Sequence, residues 1–171
     1  MKANQLNKSE YNAYYKFYIE GLGNVALIEV LNSSFDEFST TIKKLSEEQL
    51  VYRYEEEKWT IKEITQHLID TERVMSYRAL RFSRNDTTEL QGFDENLYVD
   101  NCNANDRNIK DILDEYNHLR KASISLFKSF SDEILKVTGI ANGSEMSVRA
   151  LGFIIAGHQL HHLKVIKERY L

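Results

Sequence analysis

In four long stretches of this chain the apolar residues return every three or four positions, and no proline interrupts any of them. That spacing is the period of one face of an α-helix, and proline would break a helix interior. From about Asn24 to Leu45 the apolar positions are Leu27, Leu31, Phe35, Phe38, Ile42 and Leu45. Ser46-Glu-Glu-Gln follows as a fresh N-cap, so a short turn comes next. The second stretch opens at Thr60 with Glu63 three residues on, the capping-box pattern, and runs to about Ser83. The third runs from about Asp106 to Phe130, with Ile109, Ile112, Leu113, Tyr116, Leu119, Ser123, Phe127 and Phe130 inward. A polar stretch with Gly139, Asn142 and Gly143 leads to Ser147, which caps a fourth helix running to the C-terminus.

The segment between the second and third helices, Arg84 to Asn105, carries Asn, Asp and Gly and no helical period. It is long for a connection in a compact domain. Such a crossover carries the chain from one end of a bundle to the other, or forms part of a site. The second and third helices then run the same way. The expectation is an all-α four-helix bundle, one domain over residues 1–171, with short extra helices. One of these is a docking helix in the tyrosine-rich segment from Glu10 to Gly23.

Charge and composition exclude several function classes. The net charge is −4 and no basic block is present. A nucleic-acid binder needs a concentrated positive face, so nucleic acid is not expected as a partner. Arg73, Arg78, Arg81 and Arg84 are spread over one helix as solvated groups and ion-pair partners. The longest apolar run, Ala150 to Gly157, falls far short of the roughly 20 residues a membrane span needs. The opening MKANQLNKSEYN lacks the apolar core of a signal peptide. The single cysteine, Cys102, forms no internal disulfide and fits a reducing compartment. These features predict a cytoplasmic protein with no membrane partner.

The histidines carry the chemistry. A helix turns about 100° per residue. On the fourth helix, Leu151, Ile155, Val165 and Ile166 mark the inward stripe, and His158 and His162 sit at its centre. Four residues apart, their imidazoles lie one above the other and face the core. Such a pair is a two-ligand unit for Zn²⁺ or a similar ion. His161 is turned away. On the second helix, Ile61, Ile64, Leu68, Met75, Ala79 and Phe82 define the apolar arc, and His67, Thr71 and Arg78 fall inside its edge. If the second and fourth helices are antiparallel neighbours, His67 reaches the level of His158 and His162. Three protein ligands with open positions describe a catalytic rather than a structural site. The bland alternative is three hydrogen-bonded core histidines.

Other chemistries are weaker. Glu115 and His118 have the spacing used in di-iron bundles, but no second copy exists and His118 lies opposite its helix's inner stripe. Cys102 reads as an incidental loop thiol. No phosphate-binding glycine loop, Gly-x-Ser-x-Gly elbow or Cys-x-x-Cys occurs.

Taken together, Lys58-Trp-Thr-Ile-Lys-Glu-Ile-Thr-Gln-His-Leu-Ile-Asp-Thr-Glu-Arg, Gly92-Phe-Asp-Glu and Gly157-His-Gln-Leu-His-His-Leu resemble the DinB-like superfamily. That group includes YfiT-like metal hydrolases and bacillithiol- and mycothiol-dependent transferases. The likeness extends over nearly the whole chain from about Tyr11. It implies an up-down-down-up bundle, often a homodimer, with one divalent metal on His67, His158 and His162. Zinc or nickel is the first expectation, and iron or manganese also accept imidazole. Trp59 matches a family tryptophan and reads as packing. Asp94 and Tyr98 match a pattern in the crossover, and either line the site or serve structure.

Two functions follow. The first is a metal-dependent enzyme, a transferase using a low-molecular-weight thiol or a hydrolase, acting on a small molecule. In it Asp94 is the one loop carboxylate available for catalysis. Arg78 either orients an anionic thiol or forms half of a buried ion pair. Asp70 and Glu72 point away from the stripe of His67. The second is a non-enzymatic, stress-related helical module with a vestigial or structural metal. Phe153, Leu160 and Leu163 make the fourth helix apolar on its other faces too, which means burial on both sides and suggests a dimer interface.

Overall fold

The computed structural model describes Met1–Leu171. In chain order its elements are α1 (Lys16–Glu20), α2 (Leu27–Ile42), α3 (Glu47–Leu50), α4 (Ile61–Ser83), α5 (Glu95–Asp100), α6 (Ile109–Lys128), a hairpin of β1 (Thr138–Ala141) and β2 (Ser144–Ser147), and α7 (Val148–Arg169). Single 3-10 turns occur at Ala3–Gln5, Lys8–Glu10, Ala13–Tyr15, Ala104–Asp106 and Ile134–Lys136. The four long helices α2, α4, α6 and α7 form the expected bundle.

The caps sit where the sequence puts them. Thr60 Oγ1 accepts from the Glu63 amide at 3.1 Å, and Glu63 Oε2 accepts from the Thr60 amide at 2.7 Å. Each bond satisfies a donor that a helix start leaves free. Ser147 Oγ does the same for Ala150 at 3.1 Å, fixing where α7 begins.

Contacts along the bundle fix the helix directions. Tyr170, just past α7, donates to the Trp59 carbonyl ahead of α4 at 2.6 Å, so α4 and α7 are antiparallel. Leu27 packs beside Gly152 and Glu37 pairs with Lys167 at 2.7 Å, so α2 and α7 are parallel. Arg107 reaches Gln66 at 2.6 Å and Ser123 reaches Ser76 at 3.0 Å, so α4 and α6 are parallel. Arg120 donates to the Leu31 carbonyl at 2.6 Å while Phe38 meets Tyr116, so α2 and α6 are antiparallel. The result is up-down-down-up, with the crossover taking the chain back to the start of α4.

Two segments differ from the sequence reading. The crossover contains α5, too short to register as a period, with Asp94 as its N-cap. The polar stretch at 138–147 is a β-hairpin, paired Thr138 to Ser147 through Ala141 to Ser144. Asn142 and Gly143 both take positive φ, 51° and 69°, as a two-residue hairpin turn of the type that matches strand twist requires. A Cβ at Gly139 would sit 2.1 Å from the Phe82 ring, so only glycine lets β1 lie on the end of α4.

The core is divided in two. One cluster gathers the hairpin end, including Met75, Ala79, Phe82, Phe127 and Phe153. The other gathers the opposite end, including Phe38, Ile64, Leu68, Tyr116 and Ile166. Between them lies a polar layer to which every long helix contributes: Ser34, Thr71 and Glu72, Arg120 and Ser123, His158 and Gln159, all buried. Arg120 Nη2 lies 2.7 Å from Glu72 Oε2, and Arg120 Nη1 also donates to Leu31 O and Ser34 Oγ. Buried polar groups cost stability unless satisfied. A whole layer of them at mid-bundle marks the place where the sequence departs from optimal packing, as functional sites do.

Of the additional apolar residues of α7, two are covered within the chain and Leu160 is half-buried. Phe153 and Leu163 are fully buried, in the two different clusters. No helix is long and apolar enough to cross a membrane.

Candidate metal centre

Antiparallel packing of α4 on α7 brings His67 to the level of His158 and His162. The Nε2 atoms of His67 and His158 are 3.1 Å apart, and those of His158 and His162 are 3.0 Å apart. One nitrogen of each of the three rings lies within 4.8 Å of the others. A neutral imidazole offers one lone pair and one N–H, so three Nε2 atoms aimed at one point cannot all be satisfied by hydrogen bonds to each other. A single divalent ion would take all three lone pairs. The donor set therefore fits a metal.

Electrostatics agree with that fit. Burial pushes His67 down to about 4 and His162 down to about 3. His158 is driven well below the ordinary histidine value by burial and then by the neighbouring His162, His67 and His161. All three rings are neutral at neutral pH, the form that ligates metal.

Aromatic residues surround the cluster. Trp59 lies with its ring 4.7 Å from that of His67. Tyr18, on α1, packs 5.4 Å from His158 and 5.3 Å from His161. This close cover depends on Gly157, where a Cβ would fall 2.3 Å from the Tyr18 carbonyl oxygen. The tyrosine-rich segment is thus the docking helix expected from sequence, and it docks over the histidines. Burial raises the Tyr15 and Tyr18 phenols above their usual value, so both stay protonated donors.

A cleft of about 40 Å³ opens beside His67 and His158, edged by Thr71, Tyr15, Phe93 and Glu95. The Thr71 hydroxyl is buried and has no partner in the protein. Tyr14, Tyr15, Phe93 and Glu95 also line a larger cavity of about 230 Å³, so the two spaces adjoin. Arg78 lies in the wall of that second cavity.

The remaining candidates are placed as follows. Arg78 is buried, and its Nη2 donates to the Gln91 carbonyl at 2.9 Å. It is not half of a buried ion pair; those are Arg120 with Glu72 and Arg149 with Glu10. Asp94 is exposed, and its Oδ1 accepts from the Asn96 and Leu97 amides at 3.0 and 3.1 Å. Its carboxylate is occupied in capping α5 and does not line the histidine cleft; the adjacent Glu95 does. Tyr98 is exposed on another side of α5, in an open hollow with Gln66, Asp70 and Cys102. His118 is exposed and outside the cluster. Glu72 points to Arg120, away from His67. Sequence reasoning passed over Tyr14, Tyr15, Phe93 and Glu95. The last two lie in a segment with no period to orient them.

The sequence profile of the DinB superfamily matches residues 31–166, which span all four long helices and the three histidines. The chain belongs to the DinB superfamily. Among solved structures, YfiT from Bacillus subtilis superposes with a TM-score of 0.76 at 16% identity, over 96% of this chain and 90% of that one. YfiT is described as a probable metal-dependent hydrolase with an unusual four-helix bundle topology. At this identity the likeness establishes the shared fold. Among curated proteins, none matches the chain. The up-down-down-up arrangement read above from individual contacts is thus the fold of a DinB superfamily bundle.

Proposed function

We propose that this DinB superfamily protein is a metal-dependent enzyme that uses His67, His158 and His162 to hold one divalent ion and transfers a low-molecular-weight thiol to a small electrophile. The observation that carries this reading is the convergence of three neutral imidazoles, two buried and one half-buried, with His67 and His158 beside an open cleft. A closed structural site would need a fourth protein ligand, and the group contains three. When bound, such an ion supplies open coordination positions and lowers the pKa of a coordinated thiol or water toward neutrality.

The chain's own residues do the rest. The narrow cleft admits only the reacting end of a ligand. Tyr18 packs against His158 and Trp59 against His67, limiting the access of bulk water to those two rings. Thr71 has a free hydroxyl to position a polar group. Glu95, lining both the cleft and the adjoining cavity, is the carboxylate placed to accept a proton.

In the transfer, the thiol sulfur forms a bond to the electrophilic carbon, the leaving group departs with its electron pair, and the thiol proton goes to Glu95 or solvent. Glu95 equally supports a second reading, hydrolysis, in which it would take a proton from water.

The test is to load the purified protein with zinc or nickel and assay it with a thiol and an electrophilic dye, and separately with an ester panel. Thioether formation that is lost in His158→Ala is expected. Ester cleavage alone would favour hydrolysis. No turnover from metal-loaded protein in either assay would leave the non-enzymatic helical module as the better account.

A further inference from the structure

The bundle buries three arginines, Arg78, Arg120 and Arg149. Two of them are neutralised inside the protein. Arg120 pairs with Glu72, and Arg149 pairs with Glu10. Arg78 is as buried as Arg120 and has no carboxylate. Its protein contacts are the Gln91 carbonyl at 2.9 Å, the Met75 sulfur at 3.8 Å and the neighbouring Tyr15 phenol. A guanidinium carries five N–H donors and a full charge, so these neutral contacts leave both donors and charge unmet. Burying a charge without a counterion is strongly unfavourable. What distinguishes Arg78 from the other two is the cavity of about 230 Å³ that it lines.

We propose that this cavity is a carboxylate subsite, in which Arg78 holds the acidic end of the ligand whose other end reaches the histidine cluster. The ligand class is a small, elongated organic acid, or a thiol that carries a carboxylate.

Three observations fix that chemistry. First, the guanidinium fork matches a carboxylate in two parallel hydrogen bonds. Second, Arg78 is the only cation in the cavity wall, and Glu95 adds a negative charge there. With Glu95 already negative and Arg78 the sole cation, a monocarboxylate leaves one excess negative charge and a phosphate dianion two, so the carboxylate is the less costly ligand. Third, the cavity and the cleft share Tyr14, Tyr15, Phe93 and Glu95.

On α4 the order is His67, Thr71, Met75, Arg78, along one side of the helix. At 1.5 Å per residue the two ends are about 16 Å apart along the axis. That separation sets the reach of the ligand. Its acid end sits on Arg78, its polar middle passes Thr71, and its reacting end enters the narrow cleft. The direction of the ligand rests on the metal reading above. The carboxylate subsite itself does not.

The experiment therefore uses metal-free full-length protein. It is titrated calorimetrically with butyrate, with succinate and with inorganic phosphate, at low chloride. Wild type is compared with Arg78→Met and Arg78→Lys. Saturable one-to-one carboxylate binding is expected in wild type. It should weaken at least tenfold in Arg78→Met, and Arg78→Lys should retain part of it without the two-point fork. Thermal unfolding supplies a second readout. Without ligand, Arg78→Met should unfold at or above the wild-type temperature, because it removes an unpaired buried charge, whereas Arg120→Met should unfold well below it.

Absence of saturable carboxylate binding in wild type would overturn the proposal. So would binding unchanged in Arg78→Met. Binding of phosphate but not of the carboxylates would overturn the assignment of ligand class. Carboxylate binding in a protein that takes up no metal would keep this subsite and sink the metal reading, so the two fail separately.

Discussion

Replacing Glu72 by alanine should cost the fold more than almost any other single change on α4. Glu72 and Arg120 are both buried, and the guanidinium makes three contacts to the carboxylate, at 3.0, 3.1 and 2.7 Å. In Glu72→Ala, Arg120 keeps only Leu31 O, Ser34 Oγ and Tyr116 Oη as partners, all neutral. Breaking one side of a buried pair costs about 3–5 kcal/mol. Domains are stable by only about 5–15 kcal/mol. At about 2–4 °C per kcal/mol for a chain of this size, the melting temperature should fall by about 6–20 °C. Urea and thermal denaturation followed by far-UV circular dichroism would measure it. Arg73→Ala is the control, because Arg73 is exposed and its pairs with Asp70 and Glu115 are worth about 0–1 kcal/mol. The double variant Glu72→Leu with Arg120→Met should recover most of the loss, since an apolar replacement removes both charges. A Glu72→Ala loss no larger than the Arg73→Ala loss would refute the reasoning, because it would mean that the polar layer is not dry.

Three further outcomes are expected. Gly157→Ala should push α1 off α7, destabilising the fold by about 1–3 kcal/mol and raising hydrogen exchange at Lys16–Glu20; unchanged exchange there would contradict the close approach to Tyr18. Asp94→Ala should fray α5 at a cost of about 0.5–2 kcal/mol and leave metal content as in wild type, whereas loss of turnover with α5 intact would restore Asp94 as a catalytic group. In metal-free protein, His67 and His162 have folded-state pKa values of about 4 and about 3, below the ordinary 6.5. Their contribution to stability is complete above pH 6.5 and is lost as the pH falls through the folded values. Wild-type melting temperature should thus drop more steeply than that of His67→Ala with His162→Ala on acidification from pH 6.5 to about 4; parallel profiles would show the rings to be solvated.

Much of this could be read from residue order because helices advertise themselves. The 3.6-residue period placed all four long helices, Thr60 and Ser147 placed the starts of α4 and α7, Ser46 that of the short α3, and the i, i+4 spacing put His158 and His162 side by side. The position of His67 on the same flank as Thr71 and Arg78 pointed to a polar line along α4. The short elements were harder. Six residues of α5 are less than two turns, so no period could emerge, and Asp94 read as a free carboxylate although Asp-Glu-Asn-Leu is also a capping sequence. The hairpin had a legible mark, Asn142-Gly143, but its strands are four residues each and only partly alternate. The partners of Arg78 and Arg120 were beyond sequence reasoning. Both arginines sit on core-facing flanks, and only the assembled bundle shows that one meets a glutamate and the other a cavity. The fourth helix's all-round apolarity suggested a partner chain; within the chain Phe153 and Leu163 are buried, while Leu160 is only half-buried.

His67, His158 and His162, from two antiparallel helices, are proposed to hold one metal. The most direct measurement is elemental analysis of the purified protein, before and after reconstitution with zinc or nickel, beside the His158→Ala, His162→Ala double variant. About one bound ion per chain is expected in wild type, the stoichiometry of a three-ligand site, and none in the variant. Wild-type protein that takes up no metal, or a folded double variant that takes up as much as wild type, would contradict it.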